Sequence, residues 1–304
     1  MRKYLPYLLI LMVIMMSIYN IFGNAIHEPY DTDGERLGTV YNIEGSIVFP
    51  DEIPIPMPTG DLNASTVIHL PDIHNTGHGW TCTGLCYDSE SDTFLVGDFG
   101  ETLPSAGNFA TQIVRVEPDF ETVVETIPLY TEFPNIQGVQ GVTIDTSDGT
   151  IWFCSPHEGK VRNIDTEGNS IKSFDISGVT GIAYSRKDDC FWILVLNTND
   201  ILKVSKSGTV QNRYHFNYNE PLDQCFLDER RNLLYMTAGT NYSGRNNIYC
   251  FNTVTHEQSI ACTVDSYSVE GIWLGDTDKM IILNDGYYHS AAVPYNQANI
   301  YTKE

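Results

Sequence analysis

Thr83-Gly84-Leu85-Cys86-Tyr87-Asp88 decides the fold, because the phrase returns along the chain. A polar residue and a glycine open it, a strand-forming run follows, and a turn former ends it. It comes back as Gln140-Gly141-Val142-Thr143-Ile144-Asp145 and as Thr180-Gly181-Ile182-Ala183-Tyr184-Ser185. Weaker copies are Asp223-Gln224-Cys225-Phe226-Leu227-Asp228 and Glu270-Gly271-Ile272-Trp273-Leu274-Gly275. Counted between first positions, the copies lie 57, 40, 43 and 47 residues apart. A repeat of roughly 40–50 residues built from short strands is the signature of a β-propeller, one blade per repeat.

Each phrase leads into a polar turn and a second apolar run. The turns are 88–92, 145–149, 185–189, 228–232 and 275–278, and the runs are 93–97, 150–154, 190–196, 233–237 and 279–283. Asp, Asn, Ser and Gly between two runs rich in aromatic and branched residues make a hairpin. Third and fourth strands follow at 160–164 with 170–176, at 201–204 with 210–216, and at 247–251 with 259–264. The chain therefore reads as all-β, five blades of four antiparallel strands. The last repeat holds only three strands, at 271–274, 280–284 and 298–301. Ser65–Leu70 precedes the first phrase without a partner, so it is expected to supply the missing outer strand and close the ring. The alternative is a sixth blade drawn from Thr39–Phe49 or from the long first repeat.

Residues 1–25 carry Arg2 and Lys3, an uncharged apolar run from Tyr4 to Phe22, and then Gly23-Asn24-Ala25. That is the pattern of a cleaved signal peptide, or of an anchor if retained, since about 20 apolar residues span a bilayer. Either way the propeller, residues 62–304, is expected outside the cytoplasm, secreted or held at the cell envelope. Membrane contact would come only through an uncleaved leader. Residues 26–61, with Pro50, Pro54, Pro56 and Pro58, read as an extended spacer. A net charge of −22 disfavours nucleic acid and anionic lipid as partners and favours cations. The seven cysteines show no zinc-type spacing, and the expectation is at most one disulfide with at least one free thiol.

In a propeller the first strand of each blade begins on the face where the second strand ends. The phrase thus places Thr83, Gln140, Thr180, Asp223 and Glu270 around one mouth of the axial channel, joined by Asp98, His157, Asn197, Thr240, Asn284 and Asp285. Convergent polar groups in a concavity are a ligand site by default. Ligand contacts are expected from Gln140, Thr180, Asn197, Asp223 and Thr83. Glu270, Asp285, Asn284 and Asp98 are hard-oxygen candidates for a cation such as calcium, which such ligands hold. His157, His289 and His78 are the candidates for general acid–base work. No nucleophile elbow, zincin helix or phosphate loop is present.

The phrases at 140–143 and 270–272, with Ile282-Leu283-Asn284-Asp285-Gly286, resemble the bacterial SdiA-regulated propeller family, envelope-associated proteins that include a calcium-regulated five-bladed member. The likeness spans Asp72 to Tyr301. More distantly the chain is similar to the regucalcin and gluconolactonase propellers, in which a Glu, an Asn and an Asp at the channel bind a divalent metal. That resemblance assigns those parts to Glu270, Asn197 and Asp285, in a chain order that departs from that family's. The resulting expectation is an exported, non-catalytic propeller that binds a ligand, ion or partner at its polar mouth. The alternatives are a divalent-metal-dependent hydrolase of lactones or phosphoesters at the same mouth, and a structural or adhesive surface module.

Overall fold

The computed structural model describes residues 40–41, 47–48, 59–74, 80–100, 102–103, 107–108, 111–238, 244–275, 279–285 and 296–302. The chain divides into two compact units, Met1–Ile55 and Pro56–Glu304. In the first, β1 (Val40–Tyr41) and β2 (Ile47–Val48) pair as a two-residue hairpin in a sheet of their own. Neither this pair nor the two-stranded hairpin inside the first repeat makes a further four-stranded blade, so the six-bladed alternative is not borne out.

In the second unit, β3 (Gly60–Leu62) and β4 (Thr66–His69) come first in the chain. The first blade holds β5 (Cys82–Asp88) and β6 (Thr93–Asp98), then, beyond a small hairpin of β7 (Thr102–Leu103) and β8 (Gly107–Asn108), β9 (Gln112–Val116) and β10 (Val123–Pro128). That inserted hairpin lengthens the first repeat. The second blade is β11 (Val142–Asp145), β12 (Thr150–Ser155), β13 (Lys160–Ile164) and β14 (Ser170–Asp175). The third is β15 (Val179–Ser185), β16 (Cys190–Val195), β17 (Asp200–Ser205) and β18 (Val210–His215). The fourth is β19 (Cys225–Asp228), β20 (Leu233–Met236), β21 (Asn246–Asn252) and β22 (Gln258–Val264). The fifth is β23 (Val269–Leu274), β24 (Met280–Asn284) and β25 (Gln297–Tyr301), completed by β4. Five blades are present, and no helix occurs among the described residues.

The closure expected from Ser65–Leu70 is observed. Strand β4 pairs antiparallel with β25, Ile68 opposite Ala298 and Thr66 opposite Ile300, so a strand from before the first blade completes the last one. A feature absent from the sequence reading is β3, which adds a fifth strand to the fourth blade by running parallel to β22.

Local chemistry sets the hairpins. Asp88, Asp145 and Asp228 each accept the backbone N–H two residues on, at 3.1, 2.9 and 3.1 Å. The residue just before the second strand is left-handed in four blades: Asp92, Gly149, Asp189 and Asn232, with φ of 54, 75, 48 and 53°. Asp, Asn and Gly tolerate this conformation best.

Five apolar clusters fill the five seams between neighbouring blades. Aromatic pairs stitch them: Trp152 to Phe191 at 4.6 Å, Trp192 to Phe251 at 5.6 Å, and Phe94 edge-on to Trp273 at 5.1 Å. All seven cysteines are free, so no disulfide contributes and the single bridge allowed by the sequence reading does not form. Packing between blades holds the ring.

Deleting residues 1–70 removes β3 and β4 and bares one edge of β25. The truncated chain is expected to aggregate or to lose its cooperative melting transition, followed by circular dichroism. A melt as sharp and as hot as that of the full chain would show that the closing strand is dispensable.

Candidate functional site

The mouth is built where the inner strands leave their own blades. In the first, third and fifth blades the ladder register slips between Cys82 and Leu85, Val179 and Ile182, and Val269 and Ile272. These slips span the polar-glycine dipeptide of the phrase. The backbone turns its hydrogen bonds to the neighbouring blade there: Gly84 N donates to Gln140 O at 3.0 Å and Gly141 N to Thr180 O at 2.7 Å. A Cβ on Gly84, Gly141, Gly181 or Gly271 would stand 2.4 to 2.7 Å from the next inner strand. Only glycine fits such a backbone approach. The fourth inner strand has Gln224 instead, and the junction between the fourth and fifth blades must accommodate a side chain.

That junction carries the unusual chemistry. Gln224 is buried, and its Nε2 donates to Asp223 Oδ1 at 3.1 Å. Glu270, 4% exposed, sits against Asp223, Asp285 and Gln224, and its Oε2 has no partner in hydrogen-bond geometry among the described residues. No Lys, Arg or His pairs with Glu270 or Asp223 among them either. Burial, and then the charges of Asp223 and Asp285, raise the Glu270 carboxyl well above the usual range. Burial likewise raises Asp223 to about 6. Glu270 is buried and Asp223 half-buried against it, and two carboxyls so placed cannot both ionise cheaply, so the pair holds a proton above the usual carboxylate range. Cys82 lies in the same field. Burial, then Asp285, Glu270 and Asp98, hold its thiol protonated, so it is not a nucleophile.

The other residues expected at the mouth divide by how they are satisfied. Thr83 and Thr180 are buried against backbone carbonyls, with Thr83 Oγ1 2.8 Å from Val139 O and Thr180 Oγ1 3.4 Å from Leu222 O. Both link adjacent blades. Asp98 is fully buried and accepts from His74 Nε2 at 2.8 Å, Gln112 Nε2 at 3.1 Å and Gly100 N at 3.1 Å. Asn284 is buried, its Nδ2 donating to Gln297 Oε1 at 3.2 Å. Gln140 is half-buried, with its Oε1 lacking a donor among the described residues. Asn197 lies on an exposed turn with its side chain over Gly178, and His157 is exposed with its ring 5.5 Å from that of Phe99. His78, His289 and Thr240 lie outside the described residues. Among the described residues no three His, Cys, Asp or Glu side chains converge as a metal-ligand set.

Sequence reasoning missed Gln224. The signal was available, since it is the one position where the phrase gives up its glycine.

The axial channel widens at its other end into a cavity of about 700 Å³. The fourth residue of every phrase lines it: Cys86, Thr143, Ala183, Phe226 and Trp273.

No family model and no curated protein matches the chain. Three solved structures similar to it align as follows. A nidogen/laminin complex aligns at 13% identity over 67% of this chain and 72% of that one, with a TM-score of 0.49. A streptogramin B lyase aligns at 13% identity over 79% and 87%, with a TM-score of 0.47. A catalytically inactive virginiamycin B lyase from Staphylococcus aureus with quinupristin aligns at 14% identity over 77% and 88%, also with a TM-score of 0.47. With these scores below 0.5, the fold rests on the chain's own sheet order.

Because Asp223 and Glu270 bind protons more tightly folded than unfolded, they favour the folded state increasingly as pH falls. The gain develops from above the pair's raised range down to about 4, the ordinary carboxylate pKa. Between pH 7.5 and 5.5 the wild-type melting temperature is expected to rise relative to that of Glu270→Gln with Asp223→Asn. The double variant should also be the more stable protein at pH 7.5. Parallel pH profiles for the two proteins would mean that the pair ionises normally.

Proposed function

We propose that this chain is a non-catalytic binding propeller of the cell exterior, taking its ligand at the mouth edged by Asp223, Gln224 and Glu270. The observation that carries the proposal is the Glu270 carboxyl, buried beside Asp223, with an Oε2 that meets no partner in hydrogen-bond geometry among the described residues. A buried acceptor left unmade costs about 1–3 kcal/mol, and more when charged. A ligand bearing a hydroxyl, an amide or an ammonium would relieve that cost, and an ammonium would also allow both carboxyls to ionise. Gln224, tied to Asp223, would orient the pair. Gln140, whose Oε1 lacks a partner among the described residues, would accept a second donor from the same ligand.

The apolar leader and the likeness of the repeat phrases to SdiA-regulated propellers support placement outside the cytoplasm. The strongly acidic surface supports a neutral or cationic ligand. Calcium belongs to the same test, since two carboxylates and water would serve it without a complete protein cage.

Thermal shift assays with calcium chloride, a chelator, small amines and polyols test this reading. At least one donor-bearing compound or calcium is expected to raise the melting temperature with concentration, worth about 2.7 kcal/mol at a hundredfold excess over Kd. Glu270→Gln should remove most of that shift. If no compound stabilises the wild type, or if the stabilisation survives in Glu270→Gln, the mouth is not the binding site.

A further inference from the structure

The cavity at the opposite end of the channel has an origin in the repeat itself. The fourth residue of the phrase is small in three successive blades, Cys86, Thr143 and Ala183, and a large aromatic in the next two, Phe226 and Trp273. Three small side chains on one side and two rings on the other leave the 700 Å³ space, within the range of small-molecule pockets. Phe226 and Trp273 are both half-buried. The Trp273 ring is fixed by Tyr87 at 5.4 Å and Phe94 at 5.1 Å. A pre-formed wall of this kind needs little ordering to bind.

The charges around the cavity point to one sign of ligand. Arg115 reaches its edge, but Asp88 at 2.6 Å and Glu125 at 2.8 Å neutralise it. That leaves the carboxylates of Glu90, Asp148 and Glu229 against the guanidinium of Arg186. Faces of Trp and Phe rings attract cations, Trp most strongly. We propose that this cavity is a second binding site, for a small organic cation with an apolar body such as an aryl or alkyl ammonium. It is independent of the mouth, from which it differs in residues and in chemistry.

Trp273 is also the reporter. The other three tryptophans, Trp80, Trp152 and Trp192, are almost fully buried in blade seams. Phenyltrimethylammonium is therefore expected to change the intrinsic fluorescence saturably, and Trp273→Phe to abolish that change. Benzenesulfonate, a probe of similar size and opposite charge, should bind at least tenfold more weakly. Ala183→Phe fills the small side of the cavity and should weaken the cation at least tenfold. Should that variant fail to fold, Glu229→Gln provides the check, with an expected loss of about two- to fivefold for one partly exposed charge. Glu270→Gln, at the mouth, should leave this affinity unchanged. The proposal is overturned if phenyltrimethylammonium does not saturate or if both probes bind alike. It is equally overturned if both a folded Ala183→Phe and Glu229→Gln keep wild-type affinity.

Discussion

The structure depends on one close approach: the backbone of each inner strand against the backbone of the next. Gly84 and Gly141 donate across this gap at 3.0 and 2.7 Å, and at four of the five junctions no Cβ fits. The bonds tie blade to blade at the axis, while the apolar seams tie them farther out. Neither is local to one repeat, so the ring is stable only when closed, and β4 closes it by joining the last blade to the start of the propeller. The fourth inner strand breaks the rule with Gln224, and the structure answers by placing a buried amide and two carboxyls there. The functional asymmetry of the mouth follows from that single departure.

Much of this architecture was legible in the sequence because the repeat encodes it three times over: in the glycine, in the alternating strand, and in the Asp-led turn. The closing strand was legible because the last repeat is one strand short. The strands β9 and β10 were obscured by the small hairpin of β7 and β8, which displaces them from the spacing of the other blades. Strand β3, Gly-Asp-Leu, carries no strand pattern of its own and exists through parallel pairing with β22.

The site was legible only in outline. That polar residues ring the mouth could be read; which of them remain available could not, because satisfaction is a tertiary property. Thr83 and Thr180 spend their hydroxyls on carbonyls of the next blade, and Asp98 is surrounded by the donors of His74, Gln112 and Gly100. Asn197 comes at the end of a second strand, as expected, but on a turn that faces solvent. Glu270 differs because its neighbours are acids. The far end of the channel shows the converse: its shape is written in the fourth position of the phrase, where small residues give way to rings, and that needs the fold before it can be read as a cavity.

The central claim is that the one break in the glycine ring holds a protonated acid pair. Carbon-13 NMR of Glu and Asp side chains, titrated from pH 4 to 8, tests it directly, with Glu270→Gln and Asp223→Asn for assignment. The account predicts both carboxyls titrating above the ordinary carboxylate range, Asp223 near 6, with the Glu270 transition moving down when Asp223→Asn removes the neighbouring charge. Both carboxyls ionising below about pH 5, as ordinary surface acids do, would contradict it.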